Sequence, residues 1–196
     1  MDILAPGVTV EEEAFDAAGA IEHLPDHPEQ GDDVDPARPA VDEVAQRRPV
    51  ARRLEGAELD EQVAQADVVL DCSDNFATRH AINRACVAHR TPLVSGAAVR
   101  FDGQLSVFDL RTDASPCYHC LFPEGEDVEE VRCAVMGVFA PLTGIVGTVQ
   151  AAEALKLLAG CGETLTGRLL LLDALEMDWR SVRLTRDPTC AVCASR

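Results

Sequence analysis

Lysine is nearly absent from this chain: Lys156 is the only one. Lysine and arginine together number 17 against 34 aspartates and glutamates, a net charge of −17. So acidic a surface repels phosphate backbones and anionic lipid, which argues against nucleic acid and membrane as partners. No charged-then-apolar leader opens the sequence, so the expected location is cytoplasmic, where thiols stay reduced. An uninterrupted apolar run is also missing. Residues 133–152 carry no charge over a length that could span a bilayer. However, Pro141, Gly137, Gly144, Gly147, Thr143, Thr148 and Gln150 dilute the stretch, and Pro141 divides it into a loop and a helix. The expectation is a buried turn followed by a core helix, apolar nearly all round, over 142–159. Gly144 and Gly147 would let another backbone approach it. No internal repeat is found.

The acidity is uneven. Residues 1–44 hold 13 Asp and Glu against one Arg, and five of the eleven prolines. With no clear period and little aromatic content, this segment reads as disordered. The remainder, 45–196, is expected to form one domain.

Cysteine is what the chain does have. Eight cysteines in this length do not make a disulfide scaffold. Four of them form two C-x-x-C knuckles, Cys117 and Cys120 in PCYHC and Cys190 and Cys193 in CAVC, with 69 residues between. Two knuckles supply four thiolates to a tetrahedral ion, the usual arrangement of structural zinc, and a closed site of this kind holds a fold rather than doing chemistry. The other reading is two unrelated pairs, or one redox-active C-x-x-C. Cys72, Cys86 and Cys161 sit among apolar or small residues and are expected to be core thiols.

Taken in order, 57–65 can form a short helix. ADVVLDC (66–72) is a compact apolar run expected to be a buried parallel strand. Residues 76–90 carry Ala81, Ile82, Ala85, Cys86 and His89 at helical spacing, and TPLVSGAAV (91–99) is a second buried strand, completing a βαβ unit. QLSVFDL (104–110) is its antiparallel hairpin partner, turned by 101–103. PEGEDVEEVR (123–132) reads as an exposed acidic crossover loop. Residues 168–173 and 179–184 are two further strands.

In an open α/β sheet, ligands bind beyond the carboxyl ends of the strands. Asp74 and Asn75 follow ADVVLDC at such an end. An aspartate there suits Mg²⁺ on a nucleotide's phosphates, while Ser73 or Asp74 as a helix N-cap fits the position equally well. Cys133, beside Arg132, is either a nucleophile favoured by the nearby cation or an ordinary buried cysteine. Arg79 and Arg100 are candidates for phosphate contacts, against the plain reading of solvent-facing arginines.

The succession ADVVLDCSDNFATRHAIN, PLVSGAAVRFDGQLSVF, PCYHCLFP, APLTGIVGTVQAAEALKLLAG, GRLLLLDAL and DPTCAVC resembles the carboxyl-terminal two-thirds of the bacterial ubiquitin-activating-enzyme-like adenylyltransferases. The molybdopterin-synthase adenylyltransferases are nearest, and the thiamine sulfur-carrier adenylyltransferases next. The resemblance covers roughly 45–196. It implies an α/β fold, a partial Rossmann-like doubly wound sheet with an antiparallel extension, stapled by a four-cysteine zinc site. It implies ATP- and Mg²⁺-dependent adenylation of the C-terminal glycine of a small ubiquitin-like sulfur-carrier protein, in molybdenum cofactor biosynthesis. Asp74 would be the Mg²⁺ and nucleotide aspartate, with Asn75 its neighbour. Cys117, Cys120, Cys190 and Cys193 would be the zinc ligands. Cys133 matches a cysteine that in some relatives links covalently to the carrier. The family's habit implies a homodimer, or a heterodimer with a complete protomer, with the buried helices contributing to the interface.

One family feature has no match. Residues 1–44 contain no G-x-G-x-x-G loop, whose glycines let backbone N–H groups approach phosphate. The resemblance therefore implies impaired adenylation by the isolated chain, or a non-catalytic partner subunit that binds the carrier. Calorimetric titration of the zinc-loaded chain with ATP and Mg²⁺ is expected to give no micromolar binding; a micromolar Kd would reveal a phosphate site that this stretch does not show.

Overall fold

The computed structural model describes residues 12–13, 49–125 and 136–196. Most of the stretch 1–44 expected to be disordered, most of the crossover 123–132, and Cys133 lie outside the described residues; Glu12–Glu13, within that stretch, are instead a short strand paired antiparallel with Ser181 and Val182. Residues 49–54 fall in a unit of their own and carry no helix or strand.

The elements follow in the order β1 (Glu12–Glu13), α1 (Gly56–Ala64), β2 (Val69–Asp71), α2 (Phe76–His89), β3 (Leu93–Val99), β4 (Asp102–Phe108), α3 (Tyr118–Leu121), α4 (Ala140–Ala159), β5 (Arg168–Asp173) and β6 (Asp178–Arg183). The six strands among the described residues form one sheet in the order β1-β6-β5-β4-β3-β2. β2 and β3 are parallel, as a strand–helix–strand crossover requires, and every other pair is antiparallel. This is the α/β sheet with an antiparallel extension that the motif order implies.

The period of two along each strand divides the core between the faces. On one side Leu93, Phe108, Leu169 and Val182 meet α1, α2 and the cysteine knuckles through Val63, Ala85, Cys86, Cys117 and Cys193. On the other, Val94, Leu105, Val107 and Leu172 meet Leu142, Val146, Ala154 and Leu157 of α4. Helices therefore cover both faces.

The hairpin between β3 and β4 is tighter than expected. Val99 pairs with Asp102, so Arg100 and Phe101 are its two turn residues and Gly103 lies within the strand. Arg100 takes a left-handed φ of 51°, unusual for a residue with a Cβ. Its backbone is held there: its N–H donates to Gly137 O at 2.9 Å, and its carbonyl accepts from Phe139 N–H at 2.7 Å.

Helix α4 departs from the expectation of burial all round. It starts at Ala140 with Pro141 in the first turn, where a missing N–H costs nothing. It presents one face to the sheet, and Leu155 and Leu158 on the other are 66% and 55% exposed. Among the described residues it is the helix long and apolar enough to cross a membrane by length and composition, with 33% of that window buried. Its packed face carries Gln150 and Glu153, both buried and both bonded: Gln150 Nε2 donates to Asp71 O at 3.0 Å, and Glu153 Oε2 accepts from Leu165 N–H at 2.7 Å. These bonds are how a helix laid on a sheet satisfies buried polar groups. The glycines that permit close approach are in the sheet, not in α4. A Cβ at Gly96 would fall 2.5 Å from Gln150 Cδ, and one at Gly103 would fall 2.9 Å from Leu142 Cδ1, whereas Gly144 and Gly147 have nothing within 4 Å.

Two of the three expected core thiols are elsewhere. Cys86 is buried on α2, and burial pushes its thiol up to about 12; Cys72 and Cys161 are exposed. Each of those two lies just past the end of an element, where the apolar periodicity no longer governs burial.

Gly96→Ala is expected to destabilise the protein by about 1–3 kcal/mol in urea unfolding, the usual cost of overpacking, because Gln150 can move aside only by breaking its bonds. In a Gln150→Ala background the same change should cost much less; equal costs in the two backgrounds would refute the collision.

Candidate functional site

Two constellations sit on the sheet face covered by α2. The first is the cysteine cluster. Cys117 opens the single turn α3, with its sulfur and that of Cys120 each closing a hydrogen bond across the turn. Cys190 and Cys193 close a similar turn at the end of the chain, where Ala194 N–H reaches Cys190 O. The four sulfurs lie within 4.8 Å of one another, with Cys117–Cys120 and Cys117–Cys190 at 3.8 Å and Cys120–Cys193 at 3.5 Å. A tetrahedron of metal–sulfur bonds of ~2.3 Å has edges of about 3.8 Å. The spacing is that of a four-thiolate metal site.

The electrostatics agree. Among the sulfurs, the hydrogen bond from the Cys117 thiol holds Cys120 down, to about 5, and the same bond with burial holds Cys117 up. Four thiolates this close repel and cannot all ionise without a cation among them. Each is also met by a group suited to a thiolate. Asn83 Nδ2 donates to Cys117 Sγ at 3.7 Å. Cys117 N–H donates to Cys120 Sγ at 3.5 Å. His119 Nδ1 lies 3.5 Å from Cys190 Sγ. Because His119 Nε2 accepts from Glu124 N–H at 3.2 Å, Nδ1 carries the proton and donates to the sulfur. Arg186 donates to the Cys193 carbonyl and bears on its sulfur. The four cysteines could hold a metal ion, and these partners are of the kind that orient and stabilise metal-bound ligands.

The second constellation lies at the carboxyl end of β2. Asp71 is buried, and its Oδ1 accepts from Ser73 N–H at 2.9 Å and Ser73 Oγ at 2.7 Å. Its Oδ2 lies 3.9 Å from the Arg79 guanidinium, an ion pair rather than a hydrogen bond. Arg79, 7% exposed, donates to the carbonyls of Ser73 and Gly96 and to Ser95 Oγ. It is committed to the interior and is not the solvent-facing arginine of the plain reading. The turn so held presents Asp74 to solvent. Asn75 is the N-cap of α2, its Oδ1 accepting from Thr78 N–H at 2.9 Å. Neither Ser73 nor Asp74 caps the helix, which leaves the Asp74 carboxylate uncommitted to that task. Asn75 Nδ2 is 3.5 Å from Asp74 Oδ1. Arg100, the other arginine considered for phosphate, is exposed at the hairpin tip with its guanidinium against Met136 Sδ.

The sequence reading brought out Cys117, Cys120, Cys190, Cys193, Asp74 and Asn75, and the structure assembles the first four in one cluster and the last two in one turn. It missed Asp71, Asn83, His119 and Gln150. Asn83 was legible as the residue eight after Asn75 and four after Arg79 on one helical face, and His119 as the residue inside the first knuckle. Nothing local marks Gln150, which donates to the Asp71 carbonyl 79 residues away in the chain, and Asp71 stands in an apolar run whose pattern does not single it out.

Comparison with known proteins agrees with the fold. A structure of Escherichia coli MccB with ATP superposes with a TM-score of 0.60 at 20% identity, covering 74% of this chain and 45% of that one. The molybdopterin-synthase adenylyltransferase of Escherichia coli K12 is 45% identical over 146 residues, 74% of this chain and 57% of that protein. The sulfur carrier protein ThiS adenylyltransferase of the same organism is 49% identical over 142 residues, 72% and 55% respectively. The chain thus spans a little over half the length of these relatives. The ThiF family model matches residues 37–192, and with the ordered motifs, the mixed sheet and the four-cysteine cluster in place, the chain belongs to the ThiF family.

Proposed function

We propose that this chain serves the ATP-dependent adenylation of the C-terminal glycine of a small ubiquitin-like sulfur-carrier protein, in molybdenum cofactor biosynthesis, with Asp74 as the residue that holds Mg²⁺ on the nucleotide. The observation that carries the reading is the turn at the end of β2: it presents an exposed carboxylate on a buried base at the sheet end where α/β folds bind nucleotides. The two relatives, one named as an adenylyltransferase of molybdopterin synthase and the other of the sulfur carrier protein ThiS, support the substrate class. The carrier's carboxylate attacks the α-phosphate of ATP and pyrophosphate leaves. Protein groups contribute by orienting the reactants and by offsetting phosphate charge. Mg²⁺ would supply the charge neutralisation; Asp71 and Arg79 keep the Asp74 turn in place, and Asn75 keeps α2 starting at that point.

In the same reading the four cysteines hold zinc as a structural ion, and Cys133 is the cysteine that meets the activated carrier. A closed site of four thiolates leaves no position for substrate, so the zinc joins the last residues of the chain to α3 and takes no part in phosphate chemistry.

Carrier-dependent exchange of radiolabelled pyrophosphate into ATP tests the activity, with both molybdopterin and thiamine carriers supplied and a complete ThiF-family protomer added in a parallel assay. Exchange by the isolated chain is expected to be weak for want of a glycine loop, and Asp74→Ala is expected to lower what exchange there is by about 100-fold or more, the scale set by loss of one charge-stabilising group. Cys133→Ser should leave exchange intact while abolishing any covalent carrier adduct. Carrier binding that is indifferent to ATP and to Asp74→Ala would instead establish a binding subunit. Elemental analysis is expected to give one zinc per chain, lost on changing any one of the four cysteines to serine.

A further inference from the structure

Helix α2 runs between the two constellations, and one stripe of it is polar. Asn75, Arg79 and Asn83 are spaced by four and so share a face. The face of a helix turned to a core is ordinarily apolar, and a buried polar group is costly unless it is bonded. Asn83 is 0% exposed, and both ends of its amide are used: Oδ1 accepts from Tyr118 N–H at 2.9 Å, and Nδ2 donates to Cys117 Sγ at 3.7 Å. One turn earlier, Arg79 holds Ser73 O and Gly96 O. One turn earlier again, Asn75 caps the helix next to Asp74. The stripe therefore binds the first knuckle at one end and the Asp74 turn at the other, through a single rigid helix.

A leucine has the same branched four-atom skeleton as asparagine, though bulkier, and no polar atoms to satisfy. What the amide adds is a directed N–H toward sulfur. With Oδ1 holding the Tyr118 N–H and Nδ2 directed at Cys117 Sγ, the amide grips the first knuckle at two adjacent residues, so the placement of that knuckle is passed directly to α2.

We propose that Asn83 is a positioning residue that transmits the metal state of the four-cysteine cluster along α2 to the 73–75 turn, so that the order of the Asp74 turn depends on metal at the cysteines. This rests on the reading of the cluster as a zinc site and goes beyond it, because a purely local staple would have no effect at the far end of α2.

The experiment is amide hydrogen exchange on the full chain, zinc-loaded and after zinc removal by a chelator, with the β4 amides as internal reference. Removal is expected to speed exchange over 73–79 about tenfold or more relative to β4. Asn83→Leu with zinc retained should show that faster exchange already, with no further rise on removal. The same variant should lose zinc to a chelator about 10–100-fold more readily, the usual consequence of losing a ligand's supporting bond. In the Co²⁺-substituted protein it should also shift the sulfur-to-cobalt charge-transfer band, which a packing defect alone would leave in place. Exchange over 73–79 that does not change on zinc removal, or changes only as much as β4, overturns the proposal. If Asn83→Leu fails to fold, the comparison on the unaltered chain decides by itself. A chain that binds no zinc at all overturns the metal reading and this proposal together; zinc bound with no response over 73–79 overturns this proposal alone.

Discussion

Four sulfurs drawn within 4.8 Å of one another impose the strongest constraint in this molecule. Their negative charges repel, and only a cation among them, helped by N–H donors around them, lets all four be thiolates. The donors come from distant parts of the chain, Asn83 from α2 and His119 from α3, while Arg186 from the segment after β6 holds the Cys193 carbonyl. The cluster therefore brings the end of the chain, α3 and α2 to one point, beside a core that also contains Leu93, Phe108 and Leu169 of the sheet.

The opposite face of the sheet obeys a steric constraint. Gly96 and Gly103 lack the Cβ atoms that would collide with Gln150 and Leu142, so α4 lies close enough for Gln150 to reach the carbonyls of Asp71 and Val94. That reach ties β2, an edge strand, to α4 and β3. The turn that follows β2 is thereby held from both faces, by Gln150 on one side and by Arg79 on the other. A loop residue such as Asp74 gains a fixed position because the Asp71 and Arg79 side chains beneath it are buried and hydrogen-bonded to Ser73.

Much of this was legible beforehand. The parallel β2–α2–β3 unit follows from two apolar runs flanking a helical period, and the cysteine cluster from two C-x-x-C spacings. The family follows from the order of its motifs. Where the reading went astray, a longer-range effect was responsible. α4 is apolar on all sides, yet composition does not say which side faces a sheet. Gly103 looks like a turn residue, but pairing of Val99 with Asp102 places it in a strand. Arg79 looks like any surface arginine because two of its partners, the carbonyls of Ser73 and Gly96, carry no side-chain signature.

The sequence by itself determined which residue types recur at what spacing, and so the elements, the parallel crossover, the ligand set of the cysteine cluster and the turn that carries Asp74. These depend on local geometry: 3.6 residues per helical turn, two per strand repeat, and the short reach of a C-x-x-C knuckle. Only the tertiary structure decided that Asn75 caps α2 while Asp74 is left to solvent, that Arg79 and Gln150 are buried braces, and that Asn83 points at Cys117. The cap is a local bond to Thr78 that Ser73 or Asp74 could equally have made; the braces and the Asn83 bond depend on atoms brought together from separate segments, and the energy of a buried hydrogen bond or a steric collision is set by what lies opposite in space.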